Sequence, residues 1–166
     1  MNLVSFLAWT RDMPVAVTIR QSSWMLPAIE SAHLLAYAGV IGTAVAIDFR
    51  ILNIGLRRQT AARIAAQLAP WTGTSLALSI LTGALMFSYK PFQFAANGAL
   101  PYKLSLAVVA ILFHYTILLR VARSEPPGSS AKFIASCSLA LWLAVALAGM
   151  ILSLELFAHP TALAAF

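Results

Sequence analysis

The chain has 166 residues, of which 61% are hydrophobic and only 10% charged, and its formal net charge is +6. Soluble domains carry about 25% charged residues, so this composition and a mean hydropathy of +0.86 indicate a membrane protein. The positive charge does not indicate a nucleic-acid partner, because the basic residues lie in short loops between apolar runs. The single cysteine, Cys137, excludes an internal disulfide and a CxxC metal site.

Residues 1–24 are too polar to cross a membrane and lack the basic start and small-residue cleavage site of a signal peptide. We expect Leu3, Phe6, Leu7 and Trp9 to enter the interface while Arg11, Asp12 and Arg20 stay in water. This pattern predicts a short helix lying on the outer leaflet. The alternative is an irregular terminus.

Four apolar stretches are each long enough to cross a hydrocarbon core of ~30 Å, which takes about 20 helical residues. Backbone polar groups in lipid must be satisfied within the segment, so continuous runs of this length are helices. The predicted fold class is all-α, a four-helix membrane bundle that forms one domain over 1–166. We disfavour a soluble helical core, because four such runs leave too little polar surface to cover them. The predicted spans are about 25–49, 71–89, 102–119 and 133–157.

Lysine and arginine residues indicate the orientation of these spans. The loops after the first and third spans carry seven of them, and the opposite side carries four. The two basic loops are therefore expected in the cytoplasm and both termini outside. The seven are Arg50, Arg57, Arg58, Arg63, Arg120, Arg123 and Lys132, and the four are Arg11, Arg20, Lys90 and Lys103.

Two connecting segments have a composition of their own. Residues 57–70, RRQTAARIAAQLAP, favour a short amphipathic cytoplasmic helix that Pro70 stops. Residues 124–130, SEPPGSS, are a break, because two prolines and a glycine do not continue a helix.

Three of the spans carry small residues at four-residue spacing, which allows helices in lipid to approach closely. These ladders favour a compact bundle, but they equally suit a homo-oligomer or a contact within a larger membrane complex. They are Ala38, Gly42 and Ala46 in the first span, Ser75, Ser79 and Gly83 in the second, and Ser136, Ala140, Ala144 and Ala148 in the fourth.

The first span has one polar face. At about 100° per residue, Glu30, His33, Tyr37 and Asp48 lie on the same side of the helix. Glu30 is near the outer boundary, where it reaches water, and Asp48 is expected to pair with Arg50 at the inner boundary. His33 is ~9–13 Å below the outer end, where an imidazole exposed to lipid is costly. We therefore expect His33 to face the bundle.

The third span carries the second candidate histidine, His114. Its face also holds Ala107 and Ala110, small residues that leave room for a broad group. Lys103 lies on that face at the outer end, placed to pair with Glu30 or with an anionic ligand.

A histidine on each of two helices of a membrane bundle is typical of a haem b site. In this hypothesis Lys103 or Arg20 binds the haem propionates. One objection is depth, because His33 lies in the outer half and His114 in the inner half, ~8–10 Å apart at helical rise. The alternative is a haem at each level with another second ligand. For His33 that ligand is Met86 or Met150, and for His114 it is Cys137.

Two other metal hypotheses are weaker. His33, Met25, Met86 and Met150 all fall in the outer half, and imidazole with thioether suits copper(I). No MxxM or HxxM cluster is present, so methionine as a filler of apolar gaps is favoured. A di-iron site needs a second Glu-x-x-His motif and further glutamates at bundle depth, which the sequence lacks.

Four stretches carry a resemblance to a known family: ExxHLLAYAGVIGTAVAIDFRIL (30–52), LRRQ (56–59), LAPWTG (68–73) and ILFHYTILLR (111–120). With them the chain resembles the small bacterial four-helix inner-membrane proteins grouped as a domain of unknown function. Those look distantly similar to copper-resistance-protein-D-type membrane domains and to membrane cytochromes b. The resemblance covers nearly the whole chain. It implies a bacterial inner membrane, with periplasmic termini, and makes His33 and His114 the positions to test.

The resulting hypothesis is a haem b-binding electron-transfer module that serves a quinone or a partner subunit. His33 and His114 are the ligand candidates, Tyr37 and Glu30 are neighbouring or proton-handling groups, and Lys103 binds the cofactor. Whether the protein is an enzyme stays open. The alternatives are a copper-handling protein and a structural subunit without a cofactor, in which His33 and Tyr37 satisfy one another.

Overall fold

The computed structural model describes residues 2–54, 58–124, 128 and 130–158, and the regular elements in those ranges are all helical. Four helices are long and apolar enough to cross a membrane, which confirms the all-α, four-span prediction and makes this a multi-pass membrane protein. Arg57 and residues 125–127 and 129 of the SEPPGSS loop lie outside the described residues.

The helices follow one another in the order α1 (Leu3–Asp12), α2 (Pro14–Gln21), α3 (Met25–Ile51), α4 (Ala61–Tyr89), α5 (Pro91–Ala96), α6 (Ala99–Phe113), α7 (Leu119–Arg123) and α8 (Ala131–Ala158). A π turn, His114–Leu118, joins α6 to α7, so the third span is one rod over Ala99–Arg123. We call inner the end of the bundle at which α3 ends and α4 begins.

The N-terminal segment forms two helices, where the sequence predicts one. Pro14 opens α2, because its ring presets the helical φ and the first helical residue needs no N–H partner. Ile19 is buried, whereas Trp9 is exposed. Arg20 donates hydrogen bonds to the backbone carbonyls of Arg11 and Tyr89, which attaches both short helices to the outer end of α4. The position of this segment at a membrane surface stays a prediction.

The second span corrects the prediction of a separate cytoplasmic helix over 57–70. α4 begins at Ala61, where the Thr60 hydroxyl caps it by accepting from the Arg63 N–H, and it continues through Pro70 to Tyr89. Proline within a membrane helix removes one backbone hydrogen bond without ending the helix. Ile64 and the alanines beside it are buried against the other helices. That burial favours continuation of α4 across Pro70.

The core consists of two apolar clusters stacked along the bundle axis. α3 packs along α4, α6 packs along α8, and α3 also contacts α8. The inner cluster contains Ile47, Ile51, Ala61, Ile64, Ala65, Leu118, Leu119, Ala122, Ala131 and Ala135. The outer cluster contains Val40, Ala44, Ala110, Trp142 and Val145.

Small residues determine how closely α3 approaches α4. A Cβ on Gly39 would overlap the Ser75 hydroxyl oxygen and lie 3.1 Å from the Ser75 Cβ. The ladder of α4 therefore faces α3. The ladder of α3 does not face a helix of this chain, because Ala38 is exposed and a Cβ on Gly42 would meet nothing within 4 Å. Ser136 of the α8 ladder is exposed as well.

We expect Gly39→Ala to destabilise the bundle relative to Gly42→Ala, because only the first adds a methyl group where α4 leaves no room. Both substitutions replace glycine by alanine within a helix and gain the same helix propensity. The difference between their free energies of unfolding therefore measures the clash, about 1–3 kcal/mol. Thermal unfolding in detergent, monitored by circular dichroism or by retention of the monodisperse peak, measures it. Equal stabilities for the two variants would show that α3 and α4 are not in this close contact.

Candidate functional site

His33 lies on α3 and faces α4. Its Nδ1 is 2.9 Å from the Thr82 hydroxyl oxygen, and a Cβ added at Gly83 would lie 3.3 Å from its Cε1. The Nδ1–Cε1 edge of the ring is therefore held against α4. The glycine of the α4 ladder allows this contact, because any larger side chain would push the imidazole away.

The neighbours of His33 determine which ring nitrogen carries the proton. The Thr82 hydroxyl oxygen also lies 2.7 Å from the Leu78 carbonyl oxygen of its own helix, and its single hydrogen can be donated there. With the hydrogen so placed, Thr82 accepts from His33. We assign the proton of the neutral imidazole to Nδ1, which leaves the lone pair on Nε2.

Tyr37 and Lys103 complete what we call the outer site, namely His33, Tyr37 and Lys103. The His33 and Tyr37 rings stack with 5° between their planes and 6.4 Å between centroids. The Lys103 Nζ lies 5.8 Å from the centroid of the Tyr37 ring, within the range of a cation–π contact. The Tyr37 hydroxyl is buried and makes no hydrogen bond among the described residues.

Lys103 does not pair with Glu30, contrary to one of the sequence-based alternatives. In the described ranges the ion pair within 4 Å is that of Arg11 with Asp12, at 2.8 Å. The Lys103 side chain instead passes over α8, where a Cβ on Gly149 would lie 3.4 Å from Nζ. A glycine at that position gives the long side chain its path into the bundle. The outer site thus contains a half-buried ammonium group that has no ion pair with a carboxylate of the described residues.

His114 is the first residue of the π turn and is almost completely buried, with 2% of its surface exposed. Its ring packs edge-on against Trp142 of α8, with 6.4 Å between centroids. Its Nδ1 makes no hydrogen bond in the described part of the chain. π turns are rare and often occur at functional positions, so this irregularity singles out His114 within an otherwise regular span.

The residues that form the outer site and those that lie at the level of Asp48 have the same separation on three helices, with Gly149 as the outer position of α8. On α3, Asp48 follows Tyr37 by 11 residues, and in the third span His114 follows Lys103 by 11. On the antiparallel α8, Ser138 precedes Gly149 by 11. This spacing is about three helical turns, or about 16 Å, and it keeps each pair on one face.

The two candidate histidines therefore lie at different levels of the bundle, which does not favour a metal ion shared between them. His33 lies one turn above Tyr37, so the helical rise from His33 to the level of His114 is about 20 Å. This rise exceeds the ~8–10 Å expected from the sequence. When Tyr37 and Lys103 are set at the same level, α3 extends more residues outward from that level than α6 does. Ligands of one metal ion lie about 2 Å from it. A haem held by both histidines is therefore not favoured.

The remaining candidate ligands differ in their exposure. Met86 is half-buried on α4, one turn beyond Thr82 on the same face. Met150 is 55% exposed on the outside of α8, and Cys137 is half-buried beside Ser138. No group of three histidine, cysteine or acidic side chains able to hold a metal occurs among the residues that the structure describes.

Asp48 corrects the prediction of a boundary ion pair with Arg50. Its side chain is completely buried, and both carboxyl oxygens lack a hydrogen-bond partner in the described ranges. Arg50 instead binds the Gln59 carbonyl and, at 2.8 Å, the Asn53 side chain. The helical face that contains Tyr37 and Asp48 points into the bundle, whereas Arg50 points toward the loop after α3. The face periodicity of α3 is the signal that could have identified this burial.

The match to a family model covers residues 25–155, the whole bundle without the N-terminal segment. That model describes a family of unknown function, DUF6644. The chain belongs to this family. No curated protein and no solved structure matches the chain. Membership in DUF6644 agrees with the expected family of small four-helix proteins and assigns no activity, so the function rests on the chemistry of the two levels.

We expect Thr82→Val to lower stability by about 1–2 kcal/mol, because the Nδ1–H of partly buried His33 loses the Thr82 hydroxyl as acceptor at unchanged side-chain shape. Thr74→Val is the matched control, since the exposed Thr74 hydroxyl bonds only to carbonyls of its own helix. Thermal unfolding of both variants in the same detergent measures the difference. Indistinguishable variants would contradict the His33–Thr82 bond.

Proposed function

We propose that this protein is a haem b-binding electron-transfer module in which His33 alone supplies the histidine ligand. The observation that supports the proposal is the Nδ1 contact with Thr82, 2.9 Å. Axial histidines hold the metal through one nitrogen while the other donates to a fixed acceptor, which orients the ring and raises its basicity. His33 has that arrangement, with Nε2 available.

The rest of the outer site fits the periphery of such a cofactor. Lys103 offers an ammonium that has no ion pair with a carboxylate of the described residues, as a propionate needs, and the buried Tyr37 hydroxyl has no partner among them. In this role Lys103 binds an anionic group and Tyr37 donates a hydrogen bond. Thr82 and Gly83 fix the orientation of the His33 ring. Bound haem would supply one-electron chemistry at the outer half of the membrane. Met86 is the half-buried candidate for a second ligand.

The location and the electron donor proposed for this module follow from the resemblance to membrane cytochromes b. We place the protein in a bacterial inner membrane with both termini in the periplasm, and a quinone or a partner subunit as electron donor. The basic residues that favour this orientation at the inner end include Arg50, Arg58, Arg120 and Arg123.

A second candidate is a structural subunit of a homo-oligomer or of a larger membrane complex. It is favoured by the uncovered ladder of α3, where Ala38 is exposed and Gly42 has open space beside it. Close helix contacts in lipid use such surfaces. This role is compatible with an electron-transfer subunit. Copper handling has less support, because Met150, one of its candidate ligands, is exposed on the outside of α8.

Absorption spectra of the protein purified in mild detergent test the haem proposal. We expect a Soret band that sharpens with α and β bands on dithionite reduction, and its loss in His33→Ala. His114→Ala is the control, because His114 lies at the other level and is expected to keep the spectrum. Thr82→Val should weaken haem retention by about 10–100-fold, as the loss of a group that orients a ligand does, while Thr74→Val should not.

A colourless protein that also fails to bind added haem would contradict the proposal and leave the structural candidate. A spectrum lost in His114→Ala but kept in His33→Ala would contradict the assignment of the ligand. Circular dichroism of each variant confirms that the bundle is folded, so that loss of colour is not loss of structure.

A further inference from the structure

A second cluster of polar side chains, apart from the outer site, lies at the inner level of the bundle. Asp48, Ser138 and His114 have 0%, 1% and 2% of their surfaces exposed. Both Asp48 oxygens, the Ser138 hydroxyl and the His114 Nδ1 make no hydrogen bond in the ranges that the structure describes. Buried polar groups are almost always paired, so this concentration of unsatisfied atoms points to something that binds there.

Packing brings the three side chains to one layer. The Asp48 carboxyl on α3 lies beside the Ser138 hydroxyl on α8. Trp142, one turn from Ser138 on α8, packs against the His114 ring. Each of the three helices contributes residues to the outer cluster on one side of the layer and to the inner cluster on the other. The polar layer is therefore enclosed by apolar side chains above and below.

Among the residues that the structure describes, the groups that surround this layer include no counter-ion for Asp48. From its own helix, Arg50 turns away to the Gln59 carbonyl. From the third span come His114 and the exposed Arg120 and Arg123, and from α8 come Ser138 and half-buried Cys137. α4 contributes the apolar Ile64 and Ala65, and Thr72, whose hydroxyl bonds to Thr43 and to the Leu68 carbonyl.

An uncompensated carboxylate in such a place is strongly unfavourable, because burial of an isolated charge costs several kcal/mol or more even after relaxation. The fold therefore needs a positive charge on or beside Asp48. Ionisable residues inside membrane bundles mark sites of ion or proton binding for the same reason.

We propose that Asp48, with Ser138 and His114, forms an exchangeable site for a monovalent cation, either a proton or Na⁺. A proton would bind a carboxyl oxygen directly and turn it into a donor for a neighbouring acceptor. Na⁺ would use oxygen ligands from Asp48 and Ser138. Both cations neutralise the carboxylate, and the wide π turn at His114 leaves the third span irregular at this layer. This site is independent of the haem ligand proposed at the outer level.

Labelling with a lipid-soluble carbodiimide tests the site, because the reagent enters the bilayer and modifies protonated buried carboxyls. The full-length protein in liposomes is labelled between pH 5 and pH 9, and the adduct on Asp48 is quantified by peptide mass spectrometry. A proton site predicts labelling that falls by about tenfold per pH unit above its midpoint, with no effect of Na⁺. A Na⁺ site predicts that Na⁺ slows labelling at constant pH, whereas choline does not.

Asp48→Asn should lose the adduct, and exposed Asp12 serves as the internal control that stays unlabelled. Ser138→Ala keeps the carboxyl but removes the neighbouring hydroxyl, which can donate to the ionised form, so labelling should persist to higher pH. Ser136→Ala is the matched control, since the exposed Ser136 hydroxyl bonds only to the Lys132 carbonyl. Absence of the Asp48 adduct at every pH, or labelling insensitive to both pH and Na⁺, would overturn the proposal. Identical behaviour of the two serine variants would remove Ser138 from the site.

Discussion

The close packing of α3 on α4 is the contact on which the rest of the arrangement depends. Gly39 lets the two helices approach until Ser75 fills the space that a side chain on α3 would occupy. That approach brings the His33 ring into hydrogen-bond distance of Thr82 and against Gly83. A wider separation would leave an imidazole without an acceptor inside lipid, which is unfavourable. The geometry of the outer site is thus a consequence of backbone proximity, which small residues permit.

The same helix carries both functional levels, about three turns apart. Tyr37 faces the third span at the outer level, and Asp48 faces α8 at the inner level. Apolar clusters separate the levels and close the inner one, so each site has its own chemistry. The outer level combines a lone-pair nitrogen with an ammonium group, which suits an anionic metal cofactor. The inner level combines a carboxyl with a hydroxyl, which suits a small cation.

Hydropathy was sufficient to predict the four spans, because lipid leaves the backbone no alternative to a helix. Helical periodicity placed His33, Tyr37 and Asp48 on one face. The shared face also indicates that Asp48 is buried, but the neighbouring Arg50 favoured a boundary ion pair instead. Pro70 wrongly indicated the end of a helix, because packing of Ile64 against the core outweighs the one backbone hydrogen bond that proline removes. The relative level of His33 and His114 depends on how α3 and the third span are aligned along the bundle axis. Counting residues from the end of each helix does not reveal that alignment.

The central claim is that His33 is held through Nδ1–H by Thr82 and presents an unprotonated Nε2. Solid-state nitrogen-15 NMR of histidine-labelled protein in lipid bilayers measures this directly. Variants that replace the other two histidines of the sequence, His114→Gln and His159→Gln, assign the His33 signals. The structure predicts a neutral ring with a protonated Nδ1 whose resonance shifts in Thr82→Val. A His33 signal with the proton on Nε2, or one unaffected by Thr82→Val, would contradict it.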